Sequence, residues 1–111
     1  MIVKTLQNGS LDSAGFGSAI TTEAPGGAKG TLQLKITTAE GLESFNVRVQ
    51  GRLSESVEWI DLPSAAWTSA TTAVSTTAVL ADVTIYPLMR FSCQAMSGTA
   101  GTLTVVAQVG Y

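Results

Sequence analysis

The stretch FNVRVQGRLSESVEWIDL, from Phe45 to Leu62, decides the fold, because its apolar and polar residues alternate over a longer distance than anywhere else in the chain. Positions 45, 47, 49, 51 and 53 share one face, and the polar positions between them share the other. A period of two is typical of a half-buried β-strand, whereas a helix would scatter these side chains. The stretch therefore predicts a β-hairpin.

The loop of this hairpin sets its cross-strand pairs. With residues 54–56 as the loop, Trp59 lies opposite Gly51, and its indole covers the bare backbone there. Arg52 then pairs with Glu58 on the solvated face. A bulge in the loop would shift this register.

A short helix is the alternative for Ser56 to Leu62. Ser56 could cap it and Pro63 would stop it. Its apolar positions do not sustain a helical face, so the hairpin is preferred.

A second hairpin is predicted nearer the C-terminus. Apolar residues alternate with the others from Leu88 to Met96, and the turn residues SGTAG at 97–101 separate this strand from another at 103–109. In this pairing Phe91 faces Ala107, and large side chains generally meet small ones, which packs well.

Cys93, the one cysteine of the chain, lies on the apolar face of that strand and is predicted to belong to the core. A reactive thiolate would need a cationic neighbour or a helix N-terminus to lower its pKa, and neither Ser92 nor Gln94 provides one. One thiol also cannot make an internal disulfide.

The remaining segments also favour β-structure. TLQLKIT at 31–37 alternates as a strand, and the β-branched TTAVSTTAVL at 71–80 is a strand or an ordered loop. Glycine and proline interrupt the first thirty residues. We predict an all-β protein, an antiparallel β-sandwich of jelly-roll-like type. Residues 1–30 form an extended N-terminal arm or edge segment, and residues 31–111 form the sandwich domain.

Composition points to a surface that is partly interface. The chain has 111 residues, enough for one domain with a single core. Charged residues make up 13% of it, against about 25% in ordinary soluble domains, and the mean hydropathy is +0.30. No apolar run approaches the ~20 residues of a membrane helix, and the N-terminus lacks the apolar core of a secretion signal. We expect a soluble protein, made in the cytosol and without membrane contact.

The chain has few residues suited to catalysis or to metal binding. The chain has no histidine, which removes the usual general base and the commonest metal ligand. Glu55, Glu58 and Asp61 come closest to a carboxylate cluster, but a solvated strand edge is the simpler interpretation. We expect a non-enzymatic protein with no catalytic residue, no metal and no cofactor.

A phosphate or nucleic-acid site is also not expected. PGGAKGT at 25–31 has glycines and a lysine, but the lysine precedes its glycine and a strand follows, so the spacing of a nucleotide-binding loop is missing. The six basic residues are scattered along the chain, the net charge is −2 and the pI is about 4.8.

Three aromatic residues could form a platform for a sugar. Trp59 and Tyr86 already have structural roles in the predicted strands, whereas Trp67, in the loop SAAWTSA, has none. Trp67 is therefore the candidate for contact with a partner or a glycan, and an apolar anchor in a subunit interface is the preferred role.

The strand VRVQGRL, a tight turn and VEWIDL, followed by YPLMRFSCQAMSG and TLTVVAQVG, resembles small structural proteins of tailed bacteriophages, in particular capsid decoration or cement proteins. The similarity covers about Phe45 to Gly110, with little contribution from residues 63–83. The shared features are Trp59 with the strand-ending Leu62, and Pro87 with Arg90.

The resemblance implies a virion protein, assembled in the host cytoplasm, that binds the major capsid protein of the mature shell and clamps neighbouring capsomers. Such proteins are often homotrimers, and residues 1–30 would be the element that reaches an adjacent subunit. The alternative is a tail-associated or receptor-binding module in which Trp67 and nearby loop residues contact host glycan.

Overall fold

The computed structural model describes residues 2–11, 15–24, 28–38, 42–70, 75–98 and 102–111. These residues form nine β-strands and no helix, and the strands pair antiparallel. The strands are β1 (Val3–Leu11), β2 (Gly15–Phe16), β3 (Ile20–Thr21), β4 (Lys29–Thr38), β5 (Leu42–Arg52), β6 (Ile60–Ala70), β7 (Ser75–Thr84), β8 (Leu88–Gly98) and β9 (Leu103–Gly110).

Two sheets pack face to face. Sheet A has the strand order β1-β9-β4-β7, and sheet B has the order β2-β8-β5-β6, with β3 also paired to β8. The predicted antiparallel β-sandwich is therefore confirmed. The core lies between the sheets because each long strand turns one of its two faces inward.

The alternating patterns correctly identify most of this core. In β9 the buried residues are at positions 103, 105, 107 and 109, and in β5 they include positions 45, 47 and 49. The largest fully buried side chains are Phe91, Leu32, Leu34, Ile36, Ile85, Met89 and Leu103.

The first hairpin is present, but its predicted register is wrong. β5 ends at Arg52 and β6 begins at Ile60, which pairs with Gly51. The loop between them therefore spans residues 53–59 and contains no helix, and the predicted pairs of Gly51 with Trp59 and of Arg52 with Glu58 do not form.

Tyr86 explains why Trp59 cannot cover Gly51. A Cβ atom added at Gly51 would lie 2.5 Å from Tyr86 Cδ2 and 2.7 Å from Tyr86 Cγ. The tyrosine ring therefore already occupies the space above this glycine. The alternating sequence pattern also runs past the end of the strand. Leu53 was predicted to lie on the same face as Val49, but it is in the loop and is 66% exposed.

The second predicted hairpin is wrong, because β8 and β9 belong to different sheets. β8 pairs with β5 in sheet B, where Phe91 lies opposite Val49, and β9 pairs with β1 and β4 in sheet A. Alternation shows which face of a strand is buried but not which strand is its neighbour. Large side chains can also meet small ones between two strands that face each other across the core. Matching of side-chain size therefore does not show that two strands are neighbours in one sheet.

The other predicted strands are found where they can be checked. β4 contains the predicted strand at 31–37, and β7 covers the described part of the segment at 71–80. Residues 71–74 of that segment, and 25–27 of the PGGAKGT stretch, lie outside the described residues.

The described parts of residues 1–30 pack on the sandwich. β1 forms an edge of sheet A along β9, and β2 and β3 lie on β8 in sheet B. Leu6 is 4% exposed in the core, and the buried Thr22 Oγ1 donates a hydrogen bond of 2.6 Å to the Tyr86 carbonyl oxygen. The domain boundary at residue 30 stays a prediction.

Cys93 lies in the core, as predicted, with 2% of its surface exposed. Burial raises the pKa of its thiol above the ordinary value, so the nucleophilic thiolate is disfavoured for two reasons, access and charge.

We expect Cys93 to react with iodoacetamide at least roughly a hundredfold more slowly in the folded protein than in the denatured chain, because reaction requires local opening of the core. Mass spectrometry of timed samples measures both rates. Comparable rates would show that the thiol is accessible and that β8 does not bury it.

Candidate functional site

The outer face of sheet B brings together all three arginines of the chain. Arg48 and Arg52 project from the same face of β5, since they lie four positions apart and successive residues of a strand alternate between its two faces. Arg90 on β8 lies opposite Gln50, which stands between them. The six basic residues are scattered along the sequence, but the pairing of β5 with β8 brings the three arginines to one face.

A chain of hydrogen bonds runs across three strands of this face. Arg48 Nη1 donates to Asp61 Oδ2 at 2.6 Å, and Gln50 Nε2 donates to Asp61 Oδ1 at 2.9 Å. Arg90 Nε donates to Gln50 Oε1 at 2.8 Å. Gln50 is only 8% exposed, so its amide is a fixed link that orients Arg90.

Two aromatic rings lie against the guanidinium groups. The Cζ atoms of Arg52 and Arg90 are 4.4 Å and 4.3 Å from the centroid of the Trp59 ring. Arg90 Cζ is also 3.9 Å from the centroid of the Phe16 ring, and Phe16 is 65% exposed. We call Phe16, Arg52, Trp59 and Arg90 the arginine–aromatic cluster. Each such contact is worth about 0.5–1 kcal/mol at an exposed site.

The positive charge of this cluster is not neutralised within the described part of the chain. Asp61 forms an ion pair with Arg48, whereas Arg52 and Arg90 have no carboxylate partner among the described residues. Burial, followed by the nearby charge of Arg52, lowers the pKa of Arg90. Arginine nevertheless stays protonated in proteins, so two cationic groups remain side by side.

The hydrogen bond from Gln50, followed by that from Arg48, lowers the pKa of Asp61 below its ordinary value of 3.8. A carboxylate whose folded pKa is depressed stabilises the fold above its ordinary pKa, and this contribution is lost as the pH falls through the folded value.

We therefore expect the free energy of unfolding to fall more steeply in the wild type than in Asp61→Asn as the pH drops below about 4, the ordinary pKa of the carboxyl. Urea unfolding at several pH values measures both curves. Parallel curves would contradict the role given to this carboxylate.

The three acidic residues that were considered and rejected as a carboxylate cluster do not meet in the structure. Glu55 and Glu58 line a shallow hollow beside Arg52 and Trp59, whereas Asp61 is held by its own partners on the sheet. Over the described residues, no three His, Cys, Asp or Glu side chains come together in a way that could hold a metal ion.

The three aromatic residues of the possible sugar platform lie on different faces. Trp67 and Tyr86 pack against the core. Trp67 was predicted to lie in a loop, but it belongs to β6, where it pairs with Val47 of β5. Trp59 lies on the outer face of sheet B with the arginines. No single platform joins them, and the interface role of Trp67 stays a prediction.

The exposed strand residues of sheet A are mostly uncharged at its centre. They include Gln33, Lys35, Val79, Val106 and Gln108, of which Lys35 alone is charged. Two further exposed residues of this sheet are charged, Lys29 at the start of β4 and Asp82 near the end of β7.

In the segments that the structure describes, no helix has the length and apolar character needed to cross a membrane. Comparison of the chain with protein-family models, with curated proteins and with solved structures gave no match.

Proposed function

We propose that this protein is a non-enzymatic structural protein of a virion, a decoration protein that binds the mature shell of a tailed bacteriophage. The resemblance of Phe45 to Gly110 to such proteins supports the virion assignment. The arginine–aromatic cluster carries the proposal of a protein-binding role, because arginine and aromatic side chains are enriched among the residues that contribute most to binding at protein interfaces.

The proposed mechanism is mass action on the shell. A protein that binds only the mature lattice stabilises it by RT ln(1 + [L]/Kd), about 2.7 kcal/mol per site at a hundred times Kd. Many copies around one shell multiply this effect. The protein therefore needs a surface that recognises the major capsid protein, and it needs no chemical step.

The experiment is co-sedimentation with shells assembled from the major capsid protein encoded in the same genome. We expect saturable binding to mature shells, weak binding to immature shells, and at least a tenfold weaker affinity for Arg52→Gln/Arg90→Gln. Lys35→Gln removes one positive charge from the outer face of sheet A and should bind like the wild type. Absence of binding to mature shells would refute the proposed function.

We also propose that the protein forms a homotrimer, a suggestion supported by the low charge of the chain and by the exposed apolar residues Val79 and Val106 on sheet A. Size exclusion with light scattering over a dilution series should give the mass of three 11.4 kDa chains. A stable monomer at every concentration would contradict the trimer.

A further inference from the structure

We propose that the arginine–aromatic cluster binds a short acidic peptide segment of the partner protein, with its carboxylates paired to Arg52 and Arg90. The inference rests on the proposed function in one respect, namely that the partner is a protein. It adds the chemistry of the segment that this face recognises, which is a pair of carboxylates next to an apolar side chain.

The first support is the supply of unused donors. Arg90 Nε donates a hydrogen bond to Gln50, and none of the other N–H groups of Arg90 has a partner in the described part of the chain. Arg52 makes one long hydrogen bond, from Nη1 to the Val57 carbonyl oxygen at 3.5 Å. Its Nε is buried without a partner, so the two Nη groups are the donors that would meet a ligand. A guanidinium group presents five donors in a planar fork that matches a carboxylate with two parallel hydrogen bonds.

The second support is preorganisation. Stacking on Trp59 holds both guanidinium groups, and Phe16 and the buried Gln50 hold Arg90 from two further directions. Long cationic side chains usually lose rotamer freedom when they bind, at about 0.5–1.5 kcal/mol each. Here the two arginine side chains have already lost part of their rotamer freedom on folding, so less is lost when a ligand binds.

The surroundings favour a short acidic peptide over a polyanion. Glu55 and Glu58 line the hollow beside Arg52, and the chain carries a net charge of −2, so an extended phosphate backbone would be repelled around the cluster. Phe16 is 65% exposed next to Arg90 and offers a contact for an apolar side chain. Paired carboxylates with an apolar neighbour match both features.

The experiment is a fluorescence titration in the Trp67→Phe background, where Trp59 is the sole indole. The probe is a tetrapeptide of two glutamates and two leucines with blocked termini, and its control is the same peptide with glutamine in place of glutamate. We expect a saturable change in Trp59 emission with the glutamate peptide, an apparent Kd that rises with salt, and no saturable change with the glutamine peptide. If Trp67→Phe fails to fold, calorimetry on the wild type replaces fluorescence.

The variants separate charge from fold. Arg52→Gln and Arg90→Gln should each weaken binding at least tenfold, and the conservative Arg90→Lys should restore only part of the loss, because lysine lacks the planar fork. Lys35→Gln, which removes the same charge on the opposite face, should bind normally. Thermal unfolding of each variant confirms that it is folded.

Equal binding by wild type and both glutamine variants, or no binding by the wild type, would overturn the inference. Tighter binding of oligothymidylate than of the peptide would also overturn it and assign the cluster to nucleic acid. Shell binding that survives Arg52→Gln/Arg90→Gln would refute this site while sparing the proposed function. Peptide binding without shell binding would refute the function while sparing the site.

Discussion

Replacing Phe91 by alanine is expected to lower the free energy of unfolding by about 3–5 kcal/mol. Phe91 is 1% exposed, lies opposite Val49 in sheet B and is among the largest fully buried side chains of the described core. Its loss removes the transfer free energy of the ring and leaves a cavity that a closely packed interior fills only in part. Since a domain of this size is stable by only about 5–15 kcal/mol, the variant should be near its folding limit.

Phe16→Ala is the matched control for this prediction. Phe16 is on the same sheet but on the outer face, with 65% of its surface exposed, so its removal should change stability by less than about 1 kcal/mol. Chemical unfolding of both variants measures the difference. Similar losses for Phe16→Ala and Phe91→Ala would contradict the assignment of the two faces of sheet B.

Replacing Gly30 by alanine is expected to cost about 3 kcal/mol and, at about 4–8 °C per kcal/mol, to lower Tm by roughly 12–24 °C. An added Cβ would clash with the Gly110 carbonyl oxygen and would lie 3.0 Å from two carbons of the buried Ile85 side chain. A backbone atom cannot rotate away, so β4 would have to move relative to β9.

Gly15→Ala is the control, because a Cβ at Gly15 would meet no atom of the described structure within 4 Å. We expect its Tm to stay within a few degrees of the wild type, since it creates no clash. Thermal unfolding followed by circular dichroism tests both substitutions. A Gly30→Ala protein as stable as Gly15→Ala would show that β4 does not approach β9 as described.

The inward faces of the strands could be predicted from sequence, because burial on one side of a sheet imposes a period of two. Cys93 was correctly assigned to the core for this reason. Its strand, β8, was nevertheless wrongly paired with β9. Pairing depends on which strand lies alongside, and an alternating pattern is the same for a neighbour in the sheet as for a strand across the sandwich.

The candidate site was missed for the same reason. Arg48, Arg52 and Arg90 each occupy a polar position in an alternating strand, so the sequence placed each of them on a solvated face. Their meeting depends on the pairing of β5 with β8, which sets Gln50 opposite Arg90. Had β8 been paired with β5 in place of β9, the three arginines would have been predicted to share one face.

The place of Trp59 could not be predicted from strand geometry alone. Regular alternation across residues 57–62 suggested a strand, but β6 begins only at Ile60, and Trp59 belongs to the preceding loop. A loop residue is free of the strand period, so its ring can turn to the outer face and contact Arg52 and Arg90. No local signal in the sequence distinguishes this from a core position opposite Gly51.

The central claim is that a partner protein docks on the arginine–aromatic cluster, and hydroxyl-radical footprinting of the protein on mature shells tests it most directly. Aromatic side chains oxidise readily, so Phe16 reports on the outer face of sheet B, while Val79 and Val106 report on sheet A. We predict that Phe16 and Trp59 are protected at least severalfold when the protein is bound, relative to the free protein. Unchanged oxidation of Phe16 and Trp59, with protection confined to Val79 and Val106, would contradict the claim and place the docking surface on the opposite sheet.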